Sequence, residues 1–266
     1  MNKYSKKYLD KISSSKVYDV VIKSPITKAE SVSSQFNNKI YLKREDLQPT
    51  RSFKIRGAYN KISNLVEKQK VKHVVTASAG NHAQGVAYSA KSLKIKSTIF
   101  MPKTTPSIKV DSVRNLGAKV ILIGDNFDAA LEDSLLFCKN KKLPFIHPFD
   151  DPLVIAGQGT IGKELLDQFD ENIDIVFVAV GGGGLISGIG AYIKSVKPKI
   201  KIIAVEAADA AGLNASLKAD KRIKLQEVGL FADGAAAKQI GKYNYKLIKE
   251  WIDDSITVST DEICDA

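Results

Sequence analysis

Lys54 stands in a setting where an amine can become a nucleophile. It lies in the stretch TRSFKIRGAYNKI, between two apolar residues and three positions before Gly57, at the predicted first turn of a helix with Ser52 as N-cap. The positive end of a helix dipole and an apolar surrounding both disfavour an ammonium ion, so both lower the pKa of the amine. A neutral amine adds readily to an aldehyde, which makes Lys54 a candidate for covalent binding of a carbonyl compound.

A glycine run offers a second kind of chemistry. Gly181 to Gly184, in VGGGGLISG, follow an apolar strand and open a predicted helix. Without side chains, backbone N–H groups can converge at the positive helix end and bind a phosphate. The run does not fit G-x-G-x-x-G in any register. GQGTIGKE resembles a P-loop, but Glu164 replaces the hydroxyl residue, so we interpret it as chance similarity in a helix start.

The stretch TASAGNHAQG also links a predicted strand to a predicted helix. Free N–H groups at such a helix start can hold a carboxylate, and the Asn81 amide can bond a ring hydroxyl. Ordinary capping by Ser78 or Asn81 explains the same residues and is slightly favoured if the stretch is considered alone. We interpret His82 as a helix-start or packing residue rather than a base, and the sequence offers no partner for His147.

Taken together, these three features fit one cofactor. A nucleophilic lysine, a phosphate-binding turn and a carboxylate-binding helix start match pyridoxal 5′-phosphate and its amino-acid substrates. That cofactor carries an aldehyde, a phosphate and a ring hydroxyl. The sequence therefore predicts a pyridoxal-phosphate site.

The elements that must hold these residues alternate along the chain. From Val71 onward, short β-branched runs are followed by helical stretches, which predicts parallel sheets covered by helices on both faces. The predicted strands include HVVTA, STIFMP, KVILI, PFIHPF, IDIVFVAV and KIIAVEA. Pro106 suits a helix start and Gly117 a helix end. The predicted fold class is therefore α/β.

Composition excludes several other functions. The 266 residues carry a net charge of +11, but the excess is nearly all lysine, scattered singly, whereas nucleic-acid sites favour clustered arginine. No run of ~18 apolar residues and no signal peptide is evident, so neither a nucleic-acid nor a membrane partner is predicted. Cys138 and Cys264 lack metal-binding neighbours and are interpreted as reduced thiols of a cytoplasmic protein. The oligomeric state is open, with a homo-oligomer as one option.

Four stretches resemble the threonine dehydratases (threonine ammonia-lyases), a family of tryptophan-synthase-β-like, fold type II pyridoxal-phosphate enzymes. They are KREDLQPTRSFKIRGA, TASAGNHAQGVA, DDPLVIAGQGT and VGGGGLISG, and a fifth, GLFADGAAAKQIG, is similar to the biosynthetic members. The resemblance runs from about Ser24 to Ala266. It implies two α/β domains with the cofactor between them: a larger, discontinuous domain of residues 1–47 and 150–266, and a smaller one of residues 48–149.

The resemblance also implies residue roles. Lys54 would bind the cofactor aldehyde and act as the catalytic base, Phe53 would pack by the ring, and Asn81 would bond the ring hydroxyl. The implied phosphate ligands are Gly181, Gly182, Gly183, Gly184 and Leu185. The substrate carboxylate would be framed by Ser78, Ala79, Gly80, Asn81 and His82.

The reaction implied is β-elimination of L-threonine, and of L-serine, to 2-oxobutanoate or pyruvate and ammonia, the first step of isoleucine biosynthesis. Serine racemases of this class use a serine as second base where this sequence has Ala79, so elimination is favoured over racemisation. Some relatives bind a metal through residues matching Glu206 and the carbonyl of Ala210. Here Gly212 replaces the third ligand, an aspartate, so no metal is predicted and Glu206 is interpreted as a polar residue at a strand end.

The last residues predict one further strand and one further helix. SITVS reads as a buried strand, and Ser259 with Glu262 forms the capping box of a helix. Since the family continues beyond these elements, the sequence predicts a C-terminally truncated catalytic domain. One alternative is an inactive or partner-dependent remnant of that enzyme. A nucleotide-binding module, resting on the glycine run and the P-loop-like stretch, is the other.

Overall fold

The computed structural model describes residues 3–229 and 231–266, in which helices and strands alternate. Met1 and Asn2 of the predicted larger domain, and Leu230 of the stretch GLFADGAAAKQIG, lie outside the described residues. The strands are β1 (Ile26–Lys28), β2 (Tyr41–Lys43), β3 (His73–Ala77), β4 (Lys96–Met101), β5 (Lys119–Leu122), β6 (Ile175–Ala179), β7 (Lys201–Ala207) and β8 (Asp254–Val258). The helices are α1 (Lys3–Ser13), α2 (Glu30–Gln35), α3 (Lys54–Gln69), α4 (Asn81–Ser92), α5 (Ser107–Asn115), α6 (Phe127–Lys141), α7 (Pro152–Gln168), α8 (Gly184–Val196), α9 (Gly212–Lys218), α10 (Lys242–Trp251) and α11 (Thr260–Asp265).

Two parallel sheets organise the described part of the chain. Strands β3, β4 and β5 form one sheet in that order, β6, β7 and β8 form the other, and β1 pairs with β2 in an antiparallel ribbon. In the first sheet Ala77 pairs with Phe100, and in the second Ala179 pairs with Val205. The carboxyl ends of parallel strands share one sheet edge, so the loops after β3 and β6 open at those edges. The predicted α/β class is confirmed, whereas the domain boundaries stay a prediction.

The second sheet is buried unevenly. Ile202 and Ala204 of β7 belong to the apolar core, whereas Phe177 of β6 is 62% exposed and Ile256 of β8 is 39% exposed. SITVS forms a strand as predicted, but no residue of β8 is buried, so that part of the prediction is wrong. The reason is that β8 lies at the sheet edge, paired along one side with β7.

The prediction that PFIHPF forms a strand is also wrong, since residues 144–149 form only a single bridge, between Val75 and Phe145. Pro144 and Pro148 lack the N–H groups that a strand ladder needs. The segment nevertheless runs beside β3, where Ile146 N donates to Val75 O at 2.8 Å.

Glycines allow α3, α7 and α8 to pack closely. A Cβ on Gly157 of α7 would lie 2.6 Å from Arg56 O of α3, and one on Gly188 of α8 would lie 2.5 Å from Gly159 N of α7. The P-loop-like stretch GQGTIGKE is therefore part of the interior of α7. The prediction that this stretch lies at a helix start is wrong, and its glycines allow close helix packing.

Gly188→Ala is expected to lower the free energy of unfolding by about 1–3 kcal/mol, because the added methyl group overpacks the contact between α7 and α8. Urea denaturation measures this difference. Gly212→Ala is the matched control, since its Cβ would meet Ala237 O at an ordinary 3.6 Å. Equal stability of the two variants would contradict the packing role of Gly188.

Within residues 3–229 and 231–266, no helix combines the length and the hydrophobicity that spanning a bilayer requires.

Candidate active site

Lys54 is the first residue of α3. The residue directly before the helix is Phe53 rather than the predicted Ser52, and Phe53 has helical dihedral angles (φ −59°, ψ −17°) and makes no side-chain capping bond. Ser52 still contributes, since its Oγ accepts a hydrogen bond from Lys54 N at 3.3 Å. The lysine therefore stands at the positive end of the helix, as the sequence predicted.

The side chain of Lys54 is partly buried and bonds to a neutral group. Its Nζ donates to Pro148 O at 3.1 Å and lies 5.4 Å from the ring centroid of Phe53. Burial lowers the pKa of Lys54 to about 8. Near-neutral pH thus leaves an appreciable fraction of the amine unprotonated and nucleophilic.

The glycine turn (Gly181, Gly182, Gly183 and Gly184) connects β6 to α8. Gly183 has φ 88°, a conformation that glycine adopts without strain. A Cβ on Gly181 would lie 2.5 Å from Ala235 O, and one on Gly182 would clash with the Phe149 ring. The first N–H groups of an α-helix have no intrahelical partner, so this turn presents several donors at the positive end of α8.

Residues 144–149 bring the lysine and the glycine turn together. The carbonyl of Pro148 holds the Lys54 amine. The next residue, Phe149, packs its ring against Gly182 and its backbone against Gly184. The amine and the glycine turn therefore contact consecutive residues of one segment.

The start of α4 belongs to the same region. Its N-cap is Gly80, which makes no side-chain capping bond, so the predicted capping by Ser78 or Asn81 is wrong. Ser78 Oγ instead accepts from Gly80 N at 3.3 Å, and the Asn81 side chain is exposed. Because no side chain occupies it, this helix start is open to a carboxylate. Gly85 places α4 against α3, where its Cβ would lie 3.2 Å from the carbonyl carbon of Lys54.

His82 is held as a neutral ring. Its Nε2 donates to Ile146 O at 3.0 Å and the residue is 3% exposed. Burial, with the Lys54 charge nearby, lowers the pKa of His82 to about 3. The ring therefore orders the loop after β3 against residues 144–149, and its buried Nδ1 has no partner in the described part of the chain.

Two further residues brace the glycine turn and were missed by the sequence analysis. Asn244 is fully buried, and its Nδ2 donates to Gly182 O at 2.8 Å and to Phe149 O at 3.1 Å. Asp150 accepts from the backbone N–H groups of Lys242 and Tyr243, both at 2.8 Å, at the start of α10. The partners are 62 to 95 positions apart in sequence, and no local pattern marks such pairs.

Glu206 has a structural explanation. Its carboxylate accepts from Leu213 N at 2.8 Å and from Asn214 N at 2.7 Å, so it caps α9. Burial raises the pKa of this carboxyl. In the described ranges, 3–229 and 231–266, no cluster of three His, Cys, Asp or Glu side chains has the arrangement of a metal site.

The residues present fit a cofactor that carries both an aldehyde and a phosphate. The amine of Lys54 has a lowered pKa, and the glycine turn presents the free N–H groups at the start of α8, held by close packing of Gly181 on Ala235 and of Gly182 on Phe149. An anion at the glycine turn and a carbonyl carbon at Lys54 are thus both accommodated within one region.

Comparisons with known proteins agree with this geometry. A family model described as "pyridoxal-phosphate dependent enzyme" matches residues 17–266. The mitochondrial threonine dehydratase of Schizosaccharomyces pombe is 52% identical over 261 residues, which are 97% of this chain and 43% of that protein. A biosynthetic L-threonine dehydratase of Pasteurella multocida is 51% identical over 259 residues, 97% of this chain and 50% of that protein. The chain spans about half the length of the curated relatives it matches.

Solved structures give the same result. The processed form of threonine deaminase isoform 2 from Solanum lycopersicum superposes with a TM-score of 0.95 at 46% identity, covering 98% of this chain and 72% of that one. Maize serine racemase superposes with a TM-score of 0.90 at 33% identity, covering 99% of this chain and 78% of that one.

Proposed function

The chain belongs to the family of pyridoxal-phosphate dependent enzymes, and from its similarity to threonine dehydratases we propose that it catalyses the β-elimination of L-threonine to 2-oxobutanoate and ammonia, as in isoleucine biosynthesis. L-Serine would give pyruvate by the same steps. The resemblance to threonine dehydratases and the predicted cofactor are confirmed. The observation that carries the proposal is the Lys54 amine, whose pKa is lowered to about 8 and which donates to Pro148 O. The next residue, Phe149, packs on the glycine turn.

The proposed cofactor ligands come from three places in the fold. Lys54 Nζ would bind the aldehyde carbon, the Phe53 ring would pack beside the pyridine, and the Asn81 amide would bond the ring hydroxyl. The phosphate would be bound by the N–H groups of Gly181, Gly182, Gly183, Gly184 and Leu185. When bound, pyridoxal phosphate supplies an electron sink for the bonds at the substrate Cα.

Lys54 is the proposed general base. A pKa near the working pH lets one group both accept and return a proton, and about 8 meets that condition. Its Nζ would take the proton from the substrate Cα. The Pro148 carbonyl, 3.1 Å from Nζ, would then stabilise the ammonium form by hydrogen bonding.

The start of α4 is the proposed carboxylate site. Ser78, Ala79, Gly80, Asn81 and His82 would frame the substrate carboxylate, and the uncapped helix N-terminus supports this. His82 would act through its position as a neutral ring, since its lowered pKa keeps it from taking up a second proton at neutral pH. Ala79 offers no proton to the substrate, which favours elimination over racemisation.

A direct test uses the purified chain and added pyridoxal 5′-phosphate. We expect a visible absorption band, cofactor retained on the Lys54 peptide after borohydride reduction, and release of 2-oxobutanoate from L-threonine. A chain that never takes up the cofactor would defeat the proposal. Binding without turnover would favour the alternative of an inactive or partner-dependent form. A thermal shift with ATP or NAD instead would favour a nucleotide-binding module.

The remaining predictions concern cellular context. We propose a cytoplasmic location. Some relatives are named as mitochondrial, so subcellular fractionation is the measurement that tests it. A homo-oligomer stays a prediction that light scattering of the purified chain would decide.

A further inference from the structure

We propose that His147 is a positioning residue that holds the Lys54 amine and the glycine turn in register by accepting two backbone hydrogen bonds. The proposal rests on the proposed function for its significance, but not for its test. It assigns a role to a side chain for which the sequence showed no partner.

The hydrogen bonds define the state of the ring. His147 Nδ1 accepts from Phe149 N at 3.3 Å and from Asp150 N at 2.9 Å. A nitrogen that accepts from two donors carries no proton, so the neutral ring is protonated at Nε2. The rings of Phe145 and Phe149 meet the imidazole edge-on, with centroids 6.2 and 4.7 Å away. The side chain thus closes a tight turn over residues 147–150.

Each residue that follows His147 in this turn contacts a different part of the site. The carbonyl of Pro148 accepts from Lys54 Nζ. Phe149 packs on Gly182 of the glycine turn. Asp150 binds the first N–H groups of α10. One pair of hydrogen bonds at Nδ1 therefore fixes three consecutive contacts.

Helix α10 connects the 147–150 turn to the glycine turn through hydrogen bonds. It begins on Asp150 and carries Asn244, whose Nδ2 returns to Phe149 O and reaches Gly182 O. Gly182 O also accepts from Gly241 N, just before α10, at 3.1 Å. A shift of the 147–150 turn would therefore displace two groups at once: the Pro148 carbonyl, which bonds the Lys54 amine, and the Phe149 ring, which packs on Gly182.

The charged groups around the turn are consistent with a neutral His147. Burial lowers its pKa, Asp150 and Asp151 act in the opposite direction, and Lys54 lowers it further. A protonated Nδ1 would face two N–H groups and lose both bonds. The acceptor, and not a charge, is the feature that the turn requires.

The test compares variants that keep or remove this acceptor. Asparagine places Oδ1 where Nδ1 stands, so His147→Asn keeps the turn, whereas His147→Phe keeps a ring without an acceptor and His147→Gln moves the acceptor one bond away. The first readout is the pH midpoint of acetic anhydride labelling of Lys54 in the cofactor-free protein, measured by peptide mass spectrometry. The wild type and His147→Asn should show a midpoint near the pKa of about 8.

His147→Phe and His147→Gln should raise that midpoint by about one unit or more, because a loosened turn exposes the amine to water. An unchanged midpoint in folded His147→Phe, or a shift as large in His147→Asn, would overturn the proposal. If His147→Phe lacks a cooperative unfolding transition, the His147→Gln and His147→Asn pair decides by the same criterion.

The second readout is the dissociation constant of pyridoxal 5′-phosphate, from its absorption change. We expect about tenfold weaker binding in His147→Phe and His147→Gln, and a change of less than about threefold in His147→Asn. His73→Phe is the matched control, since His73 bonds Thr98 Oγ1 in the β3–β4 sheet, and it should change neither readout. A wild type that binds no cofactor would defeat the proposed function, while the labelling midpoint would still decide the role of His147.

Discussion

Replacing Lys54 with alanine is expected to lower threonine turnover by about 10³-fold or more, the magnitude typical of losing a positioned acid–base group. The same change should abolish borohydride-stable attachment of pyridoxal phosphate at this site, because it removes the amine that donates to Pro148 O. The physical reason is the combination of burial, which lowers the pKa to about 8, and the hydrogen bond to Pro148 O. Steady-state release of 2-oxobutanoate and peptide mass spectrometry measure the two effects.

Two controls separate chemistry from charge and folding. Lys54→Arg keeps a cation that stays protonated at neutral pH, so it should be as inactive as Lys54→Ala. Lys68→Ala removes an exposed lysine from the last turn of the same helix and should leave turnover unchanged. Turnover by Lys54→Ala within about tenfold of the wild type would show that another group is the base.

Arg56→Met is expected to lower the free energy of unfolding by about 3–5 kcal/mol, the cost of leaving buried charges unpaired. Arg56 is fully buried on α3. Its Nε lies 2.7 Å from Glu45 Oε2, and its Nη1 lies 2.6 Å from Glu164 Oε1. Removing the guanidinium leaves both carboxylates without their main counter-ion, although Lys43 still contacts Glu164 at 2.6 Å.

The pH dependence of this loss has a definite sign. Burial alone would raise the pKa of Glu164, but hydrogen bonds from Arg56 and Lys43 hold that pKa below its ordinary value. A carboxyl with a lowered folded-state pKa stabilises the protein above the unfolded-state pKa of about 4.3, and that contribution disappears as pH falls through the folded-state pKa. In Arg56→Met the uncompensated burial raises the pKa of Glu164. The stability difference from wild type should therefore shrink between pH 7 and about pH 4.

Urea denaturation of the cofactor-free protein at several pH values measures both effects. Adding Glu45→Gln to Arg56→Met should recover part of the lost stability, since it removes the carboxylate whose ion pair was with Arg56. Arg114→Met makes the same change at an exposed pair with Asp111 and should alter stability by less than about 1 kcal/mol. A loss in Arg56→Met no larger than in Arg114→Met would contradict the importance of the buried ion pairs.

Several features of the candidate site can be predicted from the sequence because they depend on residues close to one another along the chain. Lys54 at a helix start, four glycines between a strand and a helix, and the capping box at Ser259 and Glu262 each depend on neighbours within a few positions. Strand and helix alternation is likewise a local pattern, and it gave the α/β class. These features form from short-range sterics and hydrogen bonds, which the order of residues specifies directly.

The errors have two causes: local backbone chemistry that outweighs the apolar or polar pattern, and contacts between residues that are distant in sequence. Pro144 and Pro148 reduced a predicted strand to a bridge, although the apolar pattern of PFIHPF suits a strand. The capping predicted for Ser78 and Asn81 gave way to an uncapped Gly80. Asn244 acquires its role through Gly182, 62 positions away, and nothing near it in sequence distinguishes it from a surface asparagine.

The glycine-mediated contacts of α7 with α3 and α8 constrain how the site could be transplanted into another scaffold. Helix α3 begins at Lys54, α8 begins at the glycine turn, and α7 packs between them with close backbone contacts. At Gly157 and Gly188 the nearest neighbours are backbone atoms of the adjacent helix, which cannot give way to a change in helix spacing. A grafted version must therefore carry all three helices as one block, with Gly57, Gly157, Gly159 and Gly188 unchanged, before any loop is redesigned.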